Sequence, residues 1–223
     1  MFTSLRTELV IRLGQVAELC RLVDSLEKRE LSSGTTEPAL RSLKGLSFVH
    51  LYAAYEYTVI NSFSVVARQF NAYGIPYGKV RRSLLSLVLH PAFESLREIQ
   101  PRKCWPGRIE LMETSTSANA SSLQDNVFPL DDSHHRAAQL DTICSILGLQ
   151  VGALLPAPRF RGLIQDVVEN RNAIAHGRET AEYVGSRYTA ADLAGRLQQM
   201  TLVLNHLLNT LEAYALTQAN FEV

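Results

Sequence analysis

The stretch Leu40–Phe70, LRSLKGLSFVHLYAAYEYTVINSFSVVARQF, decides how this chain folds. It reads as one long helix that begins near Thr36, with Pro38 in its first turn. From Phe48 to Val66 it is apolar on most sides. A helix of that kind is predicted to be buried by several neighbours. The rest of the sequence supplies them.

On the N-terminal side, Leu5, Leu9, Leu13, Val16, Cys20, Val23 and Leu26 recur at three- and four-residue steps between charged residues. That is an amphipathic helix, closed near Ser32, Ser33 and Gly34. On the C-terminal side, NAYGIPYGK breaks the pattern, VRRSLLSLVLH resumes it, and a shorter segment follows Pro91. From about residue 100 to 132 the chain is rich in Pro, Ser, Asn and Asp. It reads as a long irregular insertion carrying one short strand or turn, RIELME (Arg108 to Glu113), and not as a second domain. Helical periodicity returns in AAQLDTICSILGL, stopped at Gly148, and again in PRFRGLIQDVVENRNAIAHG, opened after Pro158 and closed by Gly177. In the last helix Thr189 and Asp192 form a short-acid capping box. Behind them, Leu193, Leu197, Met200, Leu204, Leu208, Leu211 and Ala215 make an apolar stripe. With no alternation of strands and helices and no internal repeat, residues 1–223 read as a single all-α helical bundle.

Composition narrows the function. The chain has 223 residues, 46% of them hydrophobic and 20% charged, an ordinary globular balance. Its 22 basic and 22 acidic side chains cancel, so any contact with nucleic acid would need a local basic patch. Cys20, Cys104 and Cys144 lie far apart without metal or redox spacing, which fits reduced thiols in a cytosolic protein. Arg6, Glu8 and Arg12 interrupt the N-terminus, so it does not read as a signal peptide, and no apolar run is long enough to span a bilayer. A cytoplasmic protein without a membrane segment is expected.

The chemistry-bearing motif is DVVENRNAIAHGRET, Asp166 to Thr180. Residues four apart on a helix are about 40° apart around its axis, so Asn172 and His176 are expected on one face. Arg171 starts one position earlier, with a side chain long enough to bend towards the same edge. Gly177 suits the left-handed position after a helix, which puts His176 in the last turn, where the helix dipole favours a cation. An arginine that grips phosphate in a fork, beside a histidine that moves protons, suits chemistry on a phosphate. The plain alternative is a helix that ends in His-Gly with its Arg and Asn in water. Two features favour chemistry. Of six histidines only His176 has an arginine five to seven positions upstream, and a polar cluster interrupts the apolar face of Leu163, Ile164, Val167, Val168 and Ile174.

ENRNAIAHG resembles the signature of the HEPN superfamily, an arginine followed by a polar residue and then a histidine four to six positions after the arginine. LYAAYE, ending in Glu56, is similar to the aliphatic-Tyr-Ala run of the early core helix in the branch found in bacterial defence and toxin systems. The resemblance runs from about Leu40 to Arg178. It implies a helical bundle that pairs head-to-head as a homodimer, with two motifs across a shared cleft. It also implies a metal-independent, cofactor-free endoribonuclease of a toxin–antitoxin or phage-defence system, with RNA as substrate and a cognate antitoxin or defence protein as partner. Arg171 and His176 match the catalytic pair, Asn172 the polar position, and Glu56 a supporting residue that orients Arg171 or caps a buried polar pocket. The alternative within the family is a catalytically silent binding or scaffold subunit.

Other motifs are weaker. DDSHH, Asp131 to His135, reads as a solvated turn sooner than a metal site. Trp105, between Lys103 and Arg108, reads as a loop anchor sooner than a base-stacking platform. KVRR, Lys79 to Arg82, reads as a solvated face, and the tyrosines of YAAYEY as core.

Overall fold

In a computed structural model, which describes residues 2–33, 37–125, 127–129 and 136–223, the protein is all-α. The described residues form nine α-helices: α1 (Phe2–Ser33), α2 (Pro38–Tyr73), α3 (Arg82–Val88), α4 (His90–Glu98), α5 (Trp105–Ser115), α6 (Ala137–Leu147), α7 (Phe160–Ala175), α8 (Ala181–Gly185) and α9 (Ala190–Ala215). They contain no strand, only isolated bridges such as Val80 with Glu222. No described helix is long and apolar enough to cross a membrane.

The chain divides into two compact units. The first comprises Met1–Asn61, Asp131–Ala137 and Leu155–Leu208. Its core takes Leu5, Leu9, Val16 and Val23 from α1, Phe48, Leu51, Tyr52 and Tyr55 from α2, Ile164, Val167 and Val168 from α7, and Met200, Val203 and Leu204 from α9. One local and one long-range contact set the start of α9. Asp192 Oδ2 accepts from the Thr189 N–H (2.9 Å) and hydroxyl (2.7 Å), while Thr189 Oγ1 accepts from the Asp192 N–H (3.1 Å). From α1, Glu27 accepts from the Ala190 N–H (2.8 Å) and pairs with the buried Lys44 of α2.

The second unit comprises Ser62–Leu130, Ala138–Leu154 and Asn209–Val223. Phe221, fully buried, gathers Phe70, Tyr73 and Tyr214 around it with ring centroids 4.9–5.8 Å away. Arg81 ties the head of α3 to the C-terminal turn through its Nε, 2.9 Å from the Asn220 carbonyl, so one arginine of KVRR is a fastener. Lys79 and Arg82 are exposed.

Two expectations need correcting. RIELME is neither strand nor turn; it lies inside α5, which Pro106 opens at its first turn. Trp105 anchors no loop: it is 61% exposed, with the Arg108 guanidinium 4.9 Å from its ring, and the neighbouring Cys104 is the buried residue. Helix α2 is buried on most sides, as expected, and its remaining side carries Leu46, His50, Ala53 and Ile60 as an exposed stripe at helical spacing. Helix α8 is an addition to the expected set; Thr180 caps it by accepting from the Tyr183 N–H at 3.1 Å. Asp131 to His135 lie outside the described residues.

Candidate active site

Helix α7 ends as its sequence requires. Gly177 has φ of 65°, a conformation that costs an L-residue energy and a glycine none. The Gly177 N–H donates to the Ile174 carbonyl (3.1 Å) and the Arg178 N–H to the Ala173 carbonyl (2.9 Å), a Schellman closure. His176 is therefore the C-cap, and its side chain is exposed.

The three motif residues occupy three different environments. Asn172 faces inward and is 1% exposed, whereas Arg171 is half-buried and His176 is in solvent. Arg171 does bend to its neighbour: Nη1 donates to Asn172 Oδ1 at 2.8 Å. The guanidinium carbon lies 4.5 Å from the centroid of the Tyr52 ring, within cation–π range. Tyr52 in turn donates its phenol proton to Glu56 Oε1 at 2.9 Å. Glu56, one turn further along α2, thus reaches Arg171 through the Tyr52 ring. Arg171, Asn172 and Glu56 are joined in one chain of contacts, with Tyr52 as the link that the sequence reading placed only in the core.

Asn172 also lines a groove of about 560 Å³ with Arg136, Glu169, Asn170, Arg178 and Tyr188. A polar network forms part of its wall. Asp166 Oδ1 accepts from Asn170 Nδ2 (2.9 Å) and from the Tyr188 hydroxyl (3.0 Å), and Oδ2 accepts from Arg196 Nε (2.7 Å). Asn170, 6% exposed, accepts from Arg187, which also pairs with Glu179 at 2.9 Å. Burial pushes the Tyr188 phenol up, which keeps it protonated as the donor Asp166 needs. The signal for this network was in the sequence as an aspartate and an asparagine four apart on an otherwise apolar helix face, but its partners on α9 and before it were not. Among the described residues, no group of three or more His, Cys, Asp or Glu side chains is placed to hold a metal ion.

The fold and this site define an all-α domain whose penultimate long helix closes on Arg-Asn and His-Gly. The chain matches the family described as HEPN_MAE_28990-like HEPN over residues 1–219, and it belongs to that family. The match extends the resemblance at both ends, into α1 and through α9. HEPN domains carry nuclease or nucleotide-related functions in general. No curated protein and no solved structure matches the chain.

Proposed function

We propose that this HEPN protein is a metal-independent endoribonuclease of a toxin–antitoxin or phage-defence system. The observation that carries the reading is that α7 ends with an arginine held in place and, five residues on, an exposed histidine. RNA brings its own nucleophile, the 2′-hydroxyl. The protein then has three tasks: to grip the phosphate, to move a proton, and to meet the extra negative charge of the transition state. Arg171 retains N–H donors beyond the one given to Asn172 and can fork onto phosphate oxygens. His176, in solvent, is reachable by a substrate and serves as the proton carrier. Asn172 and Glu56 hold and orient Arg171 and touch no substrate.

The same reading includes a head-to-head homodimer that brings two motifs together. The exposed stripe on α2, with Leu46 40% and Ile60 41% accessible, supports a self-complementary face on the helix that carries Glu56. Light scattering at micromolar concentration should give about twice the chain mass, and Ile60→Asp should shift it towards the monomer. A monomer that still cuts RNA removes the shared cleft from the mechanism. The partner proteins are a cognate antitoxin or a defence subunit.

The deciding experiment incubates the purified protein with RNA in EDTA and analyses the product ends. Cleavage should persist and leave a 2′,3′-cyclic phosphate, and an oligonucleotide with a 2′-deoxy residue at the cut site should be inert. His176→Ala should abolish cleavage, and Arg171→Lys should not restore what Arg171→Ala loses. Inhibition by EDTA, or a His176→Ala protein as fast as the wild type, overturns these roles. A folded wild-type protein that binds RNA without cutting it points instead to a silent binding subunit.

A further inference from the structure

We infer that Tyr52 is the positioning residue for the Arg171 guanidinium, an inference that rests on the ribonuclease reading above. An arginine side chain near a helix end has several rotatable bonds, and a phosphate fork works only if the planar group is held in one orientation. Two contacts hold it here. The Tyr52 ring, 2% exposed, lies against the guanidinium with 4.5 Å between ring centroid and guanidinium carbon, and Asn172 Oδ1 fixes Nη1 at 2.8 Å. Burial holds the ring in place, and its hydroxyl adds a tether by donating to Glu56 Oε1 at 2.9 Å. That hydrogen bond to a carboxylate also makes the phenol ring richer in electrons, which strengthens its hold on a cation. Tyr52 and Glu56 are four apart on α2 and so rise from one face of it. The ring is the platform that carries the cation, and the carboxylate tethers its hydroxyl.

This differs from a core role in what it predicts for the ring and the hydroxyl separately. Tyr52→Phe keeps the ring; Tyr52→Leu and Tyr52→Met fill similar space without one. The measurements are the NMR resonance of the Arg171 Nε–H, assigned by its absence in Arg171→Lys, and the kinetics of cutting a single-site RNA oligonucleotide. In the wild type the ring current should displace the Nε–H resonance from its free-arginine position. Tyr52→Phe should keep the displacement and cleave within about threefold of the wild-type rate. The folded Leu or Met variant should lose the displacement and about tenfold or more of kcat, with KM changed by no more than about twofold, as expected when the lost contact orients a group used in the transition state. If the Leu variant does not fold, the Met variant and the Phe spectrum decide. A folded ringless variant with unchanged kcat overturns the inference, as does a Phe variant whose resonance moves to the free position. If the resonance tracks the ring as described but no form of the protein cuts RNA, the platform stands and the ribonuclease reading fails.

Discussion

Gly185 and Gly45 meet so closely that a methyl group on Gly185 would lie 2.7 Å from the Gly45 nitrogen and 1.8 Å from the Arg41 carbonyl oxygen. A methyl on Gly45 would lie 2.0 Å from the Ala181 carbonyl oxygen. Helices α2 and α8 therefore touch backbone to backbone. That contact returns the chain to α2 just after the RN…HG turn, on the helix that carries Tyr52 and Glu56.

Backbone cannot move aside as a side chain can, so Gly45→Ala and Gly185→Ala should each cost about 3 kcal/mol or more, the upper end of overpacking effects. Gly14, in the exposed part of α1 with open space around it, provides the contrast. Gly14→Ala should stabilise by roughly 0.5–1 kcal/mol, the ordinary helix preference. Urea unfolding of the three variants checks the ranking, and equal effects at Gly14 and Gly185 would contradict the close contact.

Asn172 and His176 should separate stability from activity. Asn172 is buried and takes the Arg171 hydrogen bond, so Asn172→Ala should destabilise by about 1–3 kcal/mol. Its cleavage should fall less than that of Arg171→Ala, because an amide that only orients can be partly replaced by Tyr52. His176→Ala, at an exposed position, should lower the melting temperature less than Asn172→Ala does. Calorimetry and a cleavage assay on the same preparations test the contrast.

The network in the groove wall should behave as one unit. Asp166→Ala removes the acceptor that Arg196, the Tyr188 hydroxyl and Asn170 share, and should cost about 1–3 kcal/mol. Tyr188→Phe removes only the bridging hydroxyl and should cost about 1 kcal/mol. Because the two share a hydrogen bond, the double variant should lose less than the sum of the single ones, and strict additivity in denaturant melts would show that the network is not coupled.

The capping box of α9 carries a pH signature. The Thr189 N–H and hydroxyl hold the Asp192 carboxyl below its usual 3.8, the N–H being the larger cause. A carboxyl lowered in the folded state adds stability above its unfolded value and loses it as pH falls through the folded one. Asp192→Ala should therefore melt below the wild type at neutral pH, and the gap should narrow as the pH is taken below about 4. A gap of constant size down to pH 3 would remove the carboxylate from the cap.

Much of this protein was legible without a structure because the signals act within a turn or two of chain. Pro38 at the head of α2 lacks an N–H where the helix has no acceptor for it, and Gly177 past the end of α7 and the Thr189–Asp192 box satisfy backbone groups only a few residues away, so spacing alone revealed them. The RN…HG motif was legible for the same reason, and membership of the HEPN family followed the order of the helices. Helix α5 escaped because its α-helical periodicity is weak: it exposes Trp105, Ile109 and Met112 and buries none of its residues. Tertiary packing decided the rest. That Asn172 turns inward while His176 stays in water, and that Arg171 rests on a tyrosine far away in the chain, depend on where α2 lies against α7. Helical periodicity states which side of a helix is apolar, but it carries no information about which residue of another helix will meet it. For Tyr52 the sequence determined a buried ring, and only the approach of the two helices made that ring a platform for a cation.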